Sequence, residues 1–303
     1  MTDLVESAPA VTVCIPAFDA EAVIERAIRS VTGQAVAGSI EILVCDDGST
    51  DRTGTILNEL QAELPGLRLL TNARNMGRPY TRNRLMAEAR GRFLTWLDAD
   101  DEKYPGMLAA QVDKLEEIER EHGADALAGL LVFTNFHWWR PTMGRPRVVE
   151  PAVGDDPMEH LLSAQFGGYL WLMMGTTDSW RAVGSFDESL PRLQDLAFFI
   201  RFAELGGRFV RVDSDAPLCV YHKEDAGRDA AAVWASWNRI WRKYRHHFES
   251  YGMANARAWR RNHYRVSRRF ARANGDDLTF ARVALWEVLF VVRGRLRRVL
   301  FDA

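Results

Sequence analysis

The sequence predicts an α/β protein built on a mainly parallel central sheet flanked by helices, with a helical extension at its C-terminal end. Three observations carry this. Short β-prone apolar runs alternate with segments of helical period through the first third of the chain. One of those runs, in RFLTWLDADD (92–101), drives straight into three carboxylates, Asp98, Asp100 and Asp101. From Ala230 onward the pattern is helical, with one break at 274–277. A β-α-β-α order implies parallel strands joined by right-handed crossovers.

The elements follow in order. VTVCI (11–15) is the first strand, and 21–31 reads as a helix with Ala22, Ile24, Ala27, Ile28 and Val31 on one face, capped by Asp19. EILVC (41–45) is the second strand, followed by the polar turn Asp46–Thr50 and a helix over 51–64. LRLLT (67–71) is the third, and a loop with Asn75 and Gly77 leads to a helix over 80–89. RFLTWL (92–97) is the fourth, apolar enough to be covered on both faces. A helix runs from Pro105 to about Glu121, a strand is expected within 127–139, and the Pro-, Gly- and Arg-rich stretch 140–156 reads as a loop. A short helix, a strand near 171–174, a turn over 184–190, a helix over 194–205 and strands at 208–212 and 217–221 complete the first part. The predicted domains are 1–227 and a basic, amphipathic helical extension, 228–303.

In open parallel sheets ligands bind beyond the carboxyl ends of the strands. Asp98, Asp100 and Asp101 therefore face the mouth of a site. Three neighbouring carboxylates repel unless a cation holds them, and Mg²⁺ or Mn²⁺ takes oxygen ligands. The alternative is an acidic turn ahead of a helix. The G-x-G-x-x-G of dinucleotide binders is absent after the first strand, where the chain reads PAFDAE. The second turn, CDDGSTD (45–51), offers a carboxylate to a base N–H or a ribose hydroxyl, or is simply a turn.

Taken together, VTVCIPAFDAEAVIERAIRSVTGQ, EILVCDDGSTDRT, NMGRPYTRN and GRFLTWLDADD resemble the family 2 glycosyltransferases of the A-type fold, over roughly residues 10–222. The resemblance implies a Rossmann-like sheet and an inverting transfer of a sugar from a nucleotide-diphosphate donor, a UDP-sugar favoured, to an acceptor hydroxyl, with Mn²⁺ or Mg²⁺. It implies that Pro16, Ala17 and Phe18 line the nucleotide site with Glu21 nearby, that Asp47 meets the base, and that Arg82 lies near the nucleotide or its phosphates. It makes Asp98 and Asp100 the D-x-D pair, with Asp100 the direct metal ligand and Asp101 supporting the turn. GSFDESLPRLQDLAFFIRF (184–202) resembles the segment that carries the base, which makes Asp195 the general base, although the usual Glu-Asp pair is here Gln194-Asp195. His222 matches a histidine that completes the metal shell. Trp138 is expected in the core, whereas Trp139 is open to a sugar face or the core.

Composition fits a soluble globular chain: 303 residues, 47% hydrophobic, 26% charged. Residues 1–10 carry Asp3 and Glu6 and no apolar core, so no secretory leader is expected, and a cytoplasmic location follows. Cys14, Cys45 and Cys219 fall in expected strands and read as small buried residues. Charge is uneven: residues 239–303 hold 16 Lys+Arg and 5 Asp+Glu, or +11, leaving −13 for residues 1–238. On a helical wheel for 256–273, Arg257, Arg260, Arg261, Arg265, Arg268, Arg269 and Arg272 share one broad face, and Trp259, His263, Val266, Phe270 and Ala273 the other. The apolar run Val288–Val292 precedes Arg293, Arg295, Arg297 and Arg298. The tail is thus expected to meet the inner face of an anionic membrane, nucleic acid, the chain's own acidic part, or a second copy as a homodimer. The acceptors weighed are a glycolipid, a polysaccharide or another glycoconjugate, then a modified DNA base; a non-catalytic nucleotide-sugar-binding protein is the remaining alternative.

Overall fold

A computed structural model describes residues 8–153, 156–222 and 229–301, with side chains as far as Val292. The chain divides into two compact units: the first takes in most of the residues up to 223, and the second the helices of the C-terminal part together with the short segments 162–164 and 189–194. The expected boundary at 227/228 lies outside the described residues.

In the first unit the strands and helices alternate: β1 Val11–Ala17, α1 Ile24–Thr32, β2 Ile40–Asp46, α2 Thr53–Glu63, β3 Leu67–Thr71, α3 Arg78–Glu88, β4 Phe93–Trp96, β5 Glu102–Lys103 and α4 Met107–His122. Then follow β6 Leu130–Phe133, β7 Asn135–Trp139, β8 Arg147–Val149, α5 Pro157–Ser163, β9 Met173–Thr176, α6 Thr177–Ala182, α7 Gln194–Glu204, β10 Arg208–Arg211 and β11 Pro217–His222. The main sheet has the order β10-β6-β9-β4-β1-β2-β3. It is parallel except for β9, which runs antiparallel to both β4 and β6. Four strands in the order β5-β11-β7-β8 make a smaller sheet.

The mixed sheet flanked by helices agrees with the expectation. Strand β1 lies between β4 and β2 and is buried along nearly its whole length. Its one buried hydroxyl is satisfied, since Thr12 donates to Glu41 Oε2 at 2.6 Å and accepts the Gly91 N–H at 2.7 Å. The three cysteines are free and buried.

Several elements differ from expectation, each for a local reason. The single strand expected within 127–139 is two, one in each sheet, with the fully buried Thr134 at the changeover. The stretch 140–156 contains β8, which pairs with β7. Helix α3 begins at Arg78 rather than Tyr80, because Gly77 (φ 90°) turns the chain and Pro79 is preset for a first helical turn. Asp19 does not cap α1, which starts at Ile24 without a side-chain cap. Asp19 instead takes φ 44° and accepts the Thr50 N–H at 2.8 Å. Trp138 is half-buried beneath the Arg140 guanidinium, 4.4 Å from its ring centre, rather than in the core.

The second unit comprises α8 Ala230–Lys243, α9 Arg245–Ser250, α10 Met253–Ala273 and α11 Asp277–Phe301. Asp229 caps α8 by accepting the Ala232 N–H at 3.0 Å. The buried face of α10 is Ala256, Arg260, His263, Tyr264, Ser267 and Ala271. This corrects the expected arginine stripe: Arg260 is interior, bonded to Asn238 Oδ1 and lying over the rings of Trp241 and Tyr264 at 5.2 and 4.7 Å. A long stem and a flat cation that stacks on aromatic faces let an arginine take a core position. Arg268 pairs with Glu287 of α11 at 3.1 Å. Of the expected apolar face only His263 is buried, stacked on Trp237 at 3.7 Å, and burial holds its pKa down at about 3.

Candidate active site

Since β4, β1 and β2 are parallel neighbours, their carboxyl ends present Asp98, Phe18 and Asp47 along one rim. Hydrogen bonds to turn amides hold the loops there. Asp46 Oδ1 accepts the N–H and the hydroxyl of Ser49 at 3.0 and 2.6 Å. The first and second loops are laced to each other. The Asp19 N–H donates to Ser49 Oγ, the Ala20 N–H to Thr53 Oγ1 and the Glu21 N–H to Asp51 Oδ2, at 3.0, 2.7 and 3.1 Å. In return, the Arg52 N–H donates to Glu21 Oε2 at 2.9 Å. Glu21 is thus a loop latch. Phe18 is 42% exposed, Ala17 is buried, and Pro16 is half-buried within β1.

Asp47 is buried and its carboxylate is already engaged. Oδ1 accepts from Asn72 Nδ2 and the Met76 N–H at 2.7 and 2.9 Å, and Oδ2 from the Gly77 N–H at 2.9 Å. Its principal contact is therefore the loop that delivers α3. Gly48 is required beside it: φ is 71°, and a Cβ would fall 2.5 Å from the Arg74 carbonyl carbon.

Helix α3 projects two arginines one turn apart. Arg82 is buried and donates from Nη2 to Asp98 Oδ1 at 2.8 Å. Arg78 is exposed and feels the charges of Asp98, Asp100 and Asp195. For Arg78 desolvation opposes the charge, but those carboxylates outweigh it and raise its pKa. For Arg82 desolvation wins over Asp98, with Arg78 adding to the depression, and its pKa falls. Asp195 stands half-buried in the first turn of α7, and its charge reaches both guanidiniums.

Asp98, Asp100 and Asp101 each offer a carboxylate oxygen, and these lie within 4.8 Å of one another. Asp101 is fully buried. Its Oδ1 accepts the His222 N–H at 2.9 Å, while its Oδ2 has no hydrogen-bond partner. Burial, with the charges of Asp100 and Asp98 behind it, pushes this carboxyl well above the ordinary carboxylate range. A buried, unpartnered oxygen in an all-oxygen cluster fits a hard divalent cation. The ring of His222 is turned aside: Nε2–H donates to Glu102 Oε1 at 2.7 Å, and the ring stands edge-on to Trp139 at 5.4 Å. Glu102 also pairs with Arg26 at 3.0 Å. Burial and Arg26 hold the His222 pKa below its ordinary value despite Glu102.

The sequence reading overlooked Arg78 and the unpartnered oxygen of Asp101. The first was legible as the residue four before Arg82, had the helix been started at the Gly-Arg-Pro step; the second required the fold.

Residues 12–147 match the family model described as Glycosyl transferase family 2. This stretch is a family 2 glycosyltransferase domain. The chain is 26% identical over 211 residues to chondroitin synthase of Escherichia coli, a match covering 65% of this chain and 27% of that protein. It is 32% identical over 110 residues to GalNAc(5)-diNAcBac-PP-undecaprenol beta-1,3-glucosyltransferase of Campylobacter jejuni, covering 36% of this chain and 35% of that one. It thus spans about a third or less of the length of these two relatives. The crystal structure of S. aureus TarS 1–349 in complex with UDP-GlcNAc superposes with a TM-score of 0.56 at 17% identity, covering 92% of this chain and 88% of that one. That likeness shows the A-type fold, and the family 2 domain carries the D-x-D turn, Arg78, Arg82 and the loops of the rim.

Proposed function

We propose that the chain transfers a sugar from a nucleotide-diphosphate sugar to an acceptor hydroxyl with inversion at the anomeric carbon. The observation that carries this is the meeting, at one end of the sheet, of three clustered carboxylates, two arginines and the separate carboxylate Asp195. Asp100 and Asp101 would hold Mn²⁺ or Mg²⁺, with Asp98 shared between the cluster and Arg82. His222 joins only if its ring leaves Glu102. The ion supplies positive charge against the diphosphate. Arg78 and Arg82 stabilise the same developing charge from the helix side. Asp195 accepts the acceptor proton as the hydroxyl oxygen attacks the anomeric carbon, and the diphosphate leaves with the bonding electron pair. Pro16, Ala17 and Phe18 would border the base, with Asp47 fixing the loop beneath it.

A UDP-sugar donor is favoured by the likeness to a protein that holds UDP-GlcNAc. A glycolipid, polysaccharide or other glycoconjugate acceptor is favoured by the names of the relatives, a chondroitin synthase and an undecaprenol-linked glucosyltransferase. Among the described residues no helix is long and apolar enough to cross a membrane.

The test is hydrolysis of a panel of nucleotide sugars with Mn²⁺ or Mg²⁺, which needs no acceptor, followed by transfer with Asp195→Asn. The variant is expected to bind donor normally and to lose transfer by at least about a hundredfold. No donor turnover in the wild type would favour a binding protein, and near-normal transfer by the variant would move the base elsewhere.

A further inference from the structure

Helix α11 is apolar on two sides. Its inner side is occupied: Thr279 and Val283 are buried, Phe290 meets the Tyr264 ring at 5.9 Å, and Glu287 pairs with Arg268. Among the described residues, its outer side is not. Leu278, Leu285, Val288 and Val292 are 73, 60, 58 and 45% exposed, with Trp286 and Leu289 beside them at 47 and 38%. The positions 278, 281, 285, 288, 289 and 292 fall on one stripe of a 3.6-residue helix, and the intervening Ala281 and Arg282 are exposed as well. A continuous apolar stripe of this length left in water marks an interaction surface.

Charge identifies the occupant. The segment 239–303 carries 16 Lys+Arg against 5 Asp+Glu. Although Arg260 and Arg268 are consumed inside the bundle, Arg261, Arg265, Arg269, Arg272 and Arg282 remain exposed. A second copy would set +11 against +11. Nucleic acid would satisfy the arginines and leave the leucine stripe in water. An anionic bilayer meets both features, taking apolar side chains among the acyl chains and arginines on the phosphates. A tryptophan at the edge of the stripe suits the headgroup level.

We propose that the outer face of α11 lies in the interface of an anionic lipid bilayer, with Leu285, Val288, Leu289 and Val292 inserted and the exposed arginines on lipid phosphates. This goes beyond the catalytic reading and does not depend on it.

The test uses the full chain with phosphatidylglycerol–phosphatidylcholine vesicles and with pure phosphatidylcholine vesicles, across a salt series. The wild type is expected to sediment with the anionic vesicles, less so as salt rises. Leu285→Glu/Leu289→Glu, at two exposed positions, is expected to keep its melting temperature and nucleotide-sugar hydrolysis while vesicle affinity falls by roughly a hundredfold. Arg265→Glu/Arg269→Glu is expected to flatten the salt dependence. The proposal is overturned if the wild type does not bind anionic vesicles, whatever its affinity for DNA. It is equally overturned if the Leu285/Leu289 variant binds vesicles undiminished, or if that variant's only defect is loss of a dimer seen by sedimentation velocity.

Discussion

Arg82 holds Asp98: the guanidinium, 3% exposed, donates to a carboxylate that is 21% exposed, at 2.8 Å. One of the three clustered aspartates is therefore paired by the protein itself, and burial keeps a second, Asp101, from ionising readily without a cation. The pair ties α3 to the turn after β4.

Removing one member of a buried ion pair costs more than the pair contributes, because the other charge is left uncompensated. Arg82→Leu should lower stability by about 3 kcal/mol, whereas Arg82→Lys should recover part of that loss. Urea unfolding at neutral pH checks both.

Asp101 has a folded-state pKa raised by burial and by its two neighbours. Ionising it in the folded chain is therefore unfavourable. Without metal its contribution lowers stability as pH rises above the ordinary carboxylate value toward the raised one, and the penalty is fully present above that. Asp101→Asn should make the metal-free protein more stable at neutral pH. It should also weaken the stabilisation conferred by added Mn²⁺, through an affinity about ten- to a hundredfold lower. Melting curves with and without the ion read both effects, and a variant that gains as much from Mn²⁺ as wild type would remove Asp101 from the cation's shell.

Arg78 is exposed and surrounded by site carboxylates. Arg78→Gln should weaken a nucleoside diphosphate roughly ten- to a hundredfold in the presence of metal and leave the nucleoside unaffected. Isothermal titration with UDP and uridine separates the two, and equal losses for both would mean a general distortion.

Asp47 accepts from three donors in one loop. Asp47→Ala should destabilise the chain by about 1–2 kcal/mol, since the loop loses three hydrogen bonds to a buried carboxylate, although Asn72 keeps Thr81 and the Gly77 N–H keeps Asn75 as acceptors. Amide exchange at Met76 and Gly77 should accelerate with it. Unchanged protection at those two amides would contradict the clamp.

Lys103 is buried, donates to the Trp171 carbonyl at 2.9 Å, and has a pKa pushed down to about 8 by desolvation. Because the folded pKa lies below the unfolded one, the unfolded chain binds more protons between about 8 and 10.5, so stability should rise with pH across that window. Lys103→Met should remove that slope and stabilise the protein below pH 8 by about 1–3 kcal/mol. Denaturation at pH 7 and at pH 10 gives the comparison.

The alternation of strands and helices was legible because β1, β2, β3 and β4 are short, apolar and each followed by a helical period. The cluster at 98–101 was legible because it ends a buried strand. What escaped depended on contacts across the chain. Asp19 looks like a cap in isolation, but Thr50, far along the sequence, offers it an amide first. The stretch 127–139 is apolar throughout, and only the partners β9 and β11 decide where one sheet stops and the other starts. A helical wheel sorts α10 by polarity and misplaces Arg260, whose burial depends on the rings of Trp241 and Tyr264.

The lacing between the loops after β1 and β2 has a consequence for engineering. Asp19, Ala20 and Glu21 each depend on a side chain from 49–53, and Thr50 and Arg52 depend on side chains from 19–21. The two loops are therefore one exchangeable module. A chimaera that imports either one from a relative puts the amides on both sides of the seam at risk of losing their acceptors, whereas importing 18–21 and 46–53 as a pair, with Asp47 and Gly48 retained, keeps the bonds between the two loops. Loop swapping at this rim should cut the chain at four places, not two.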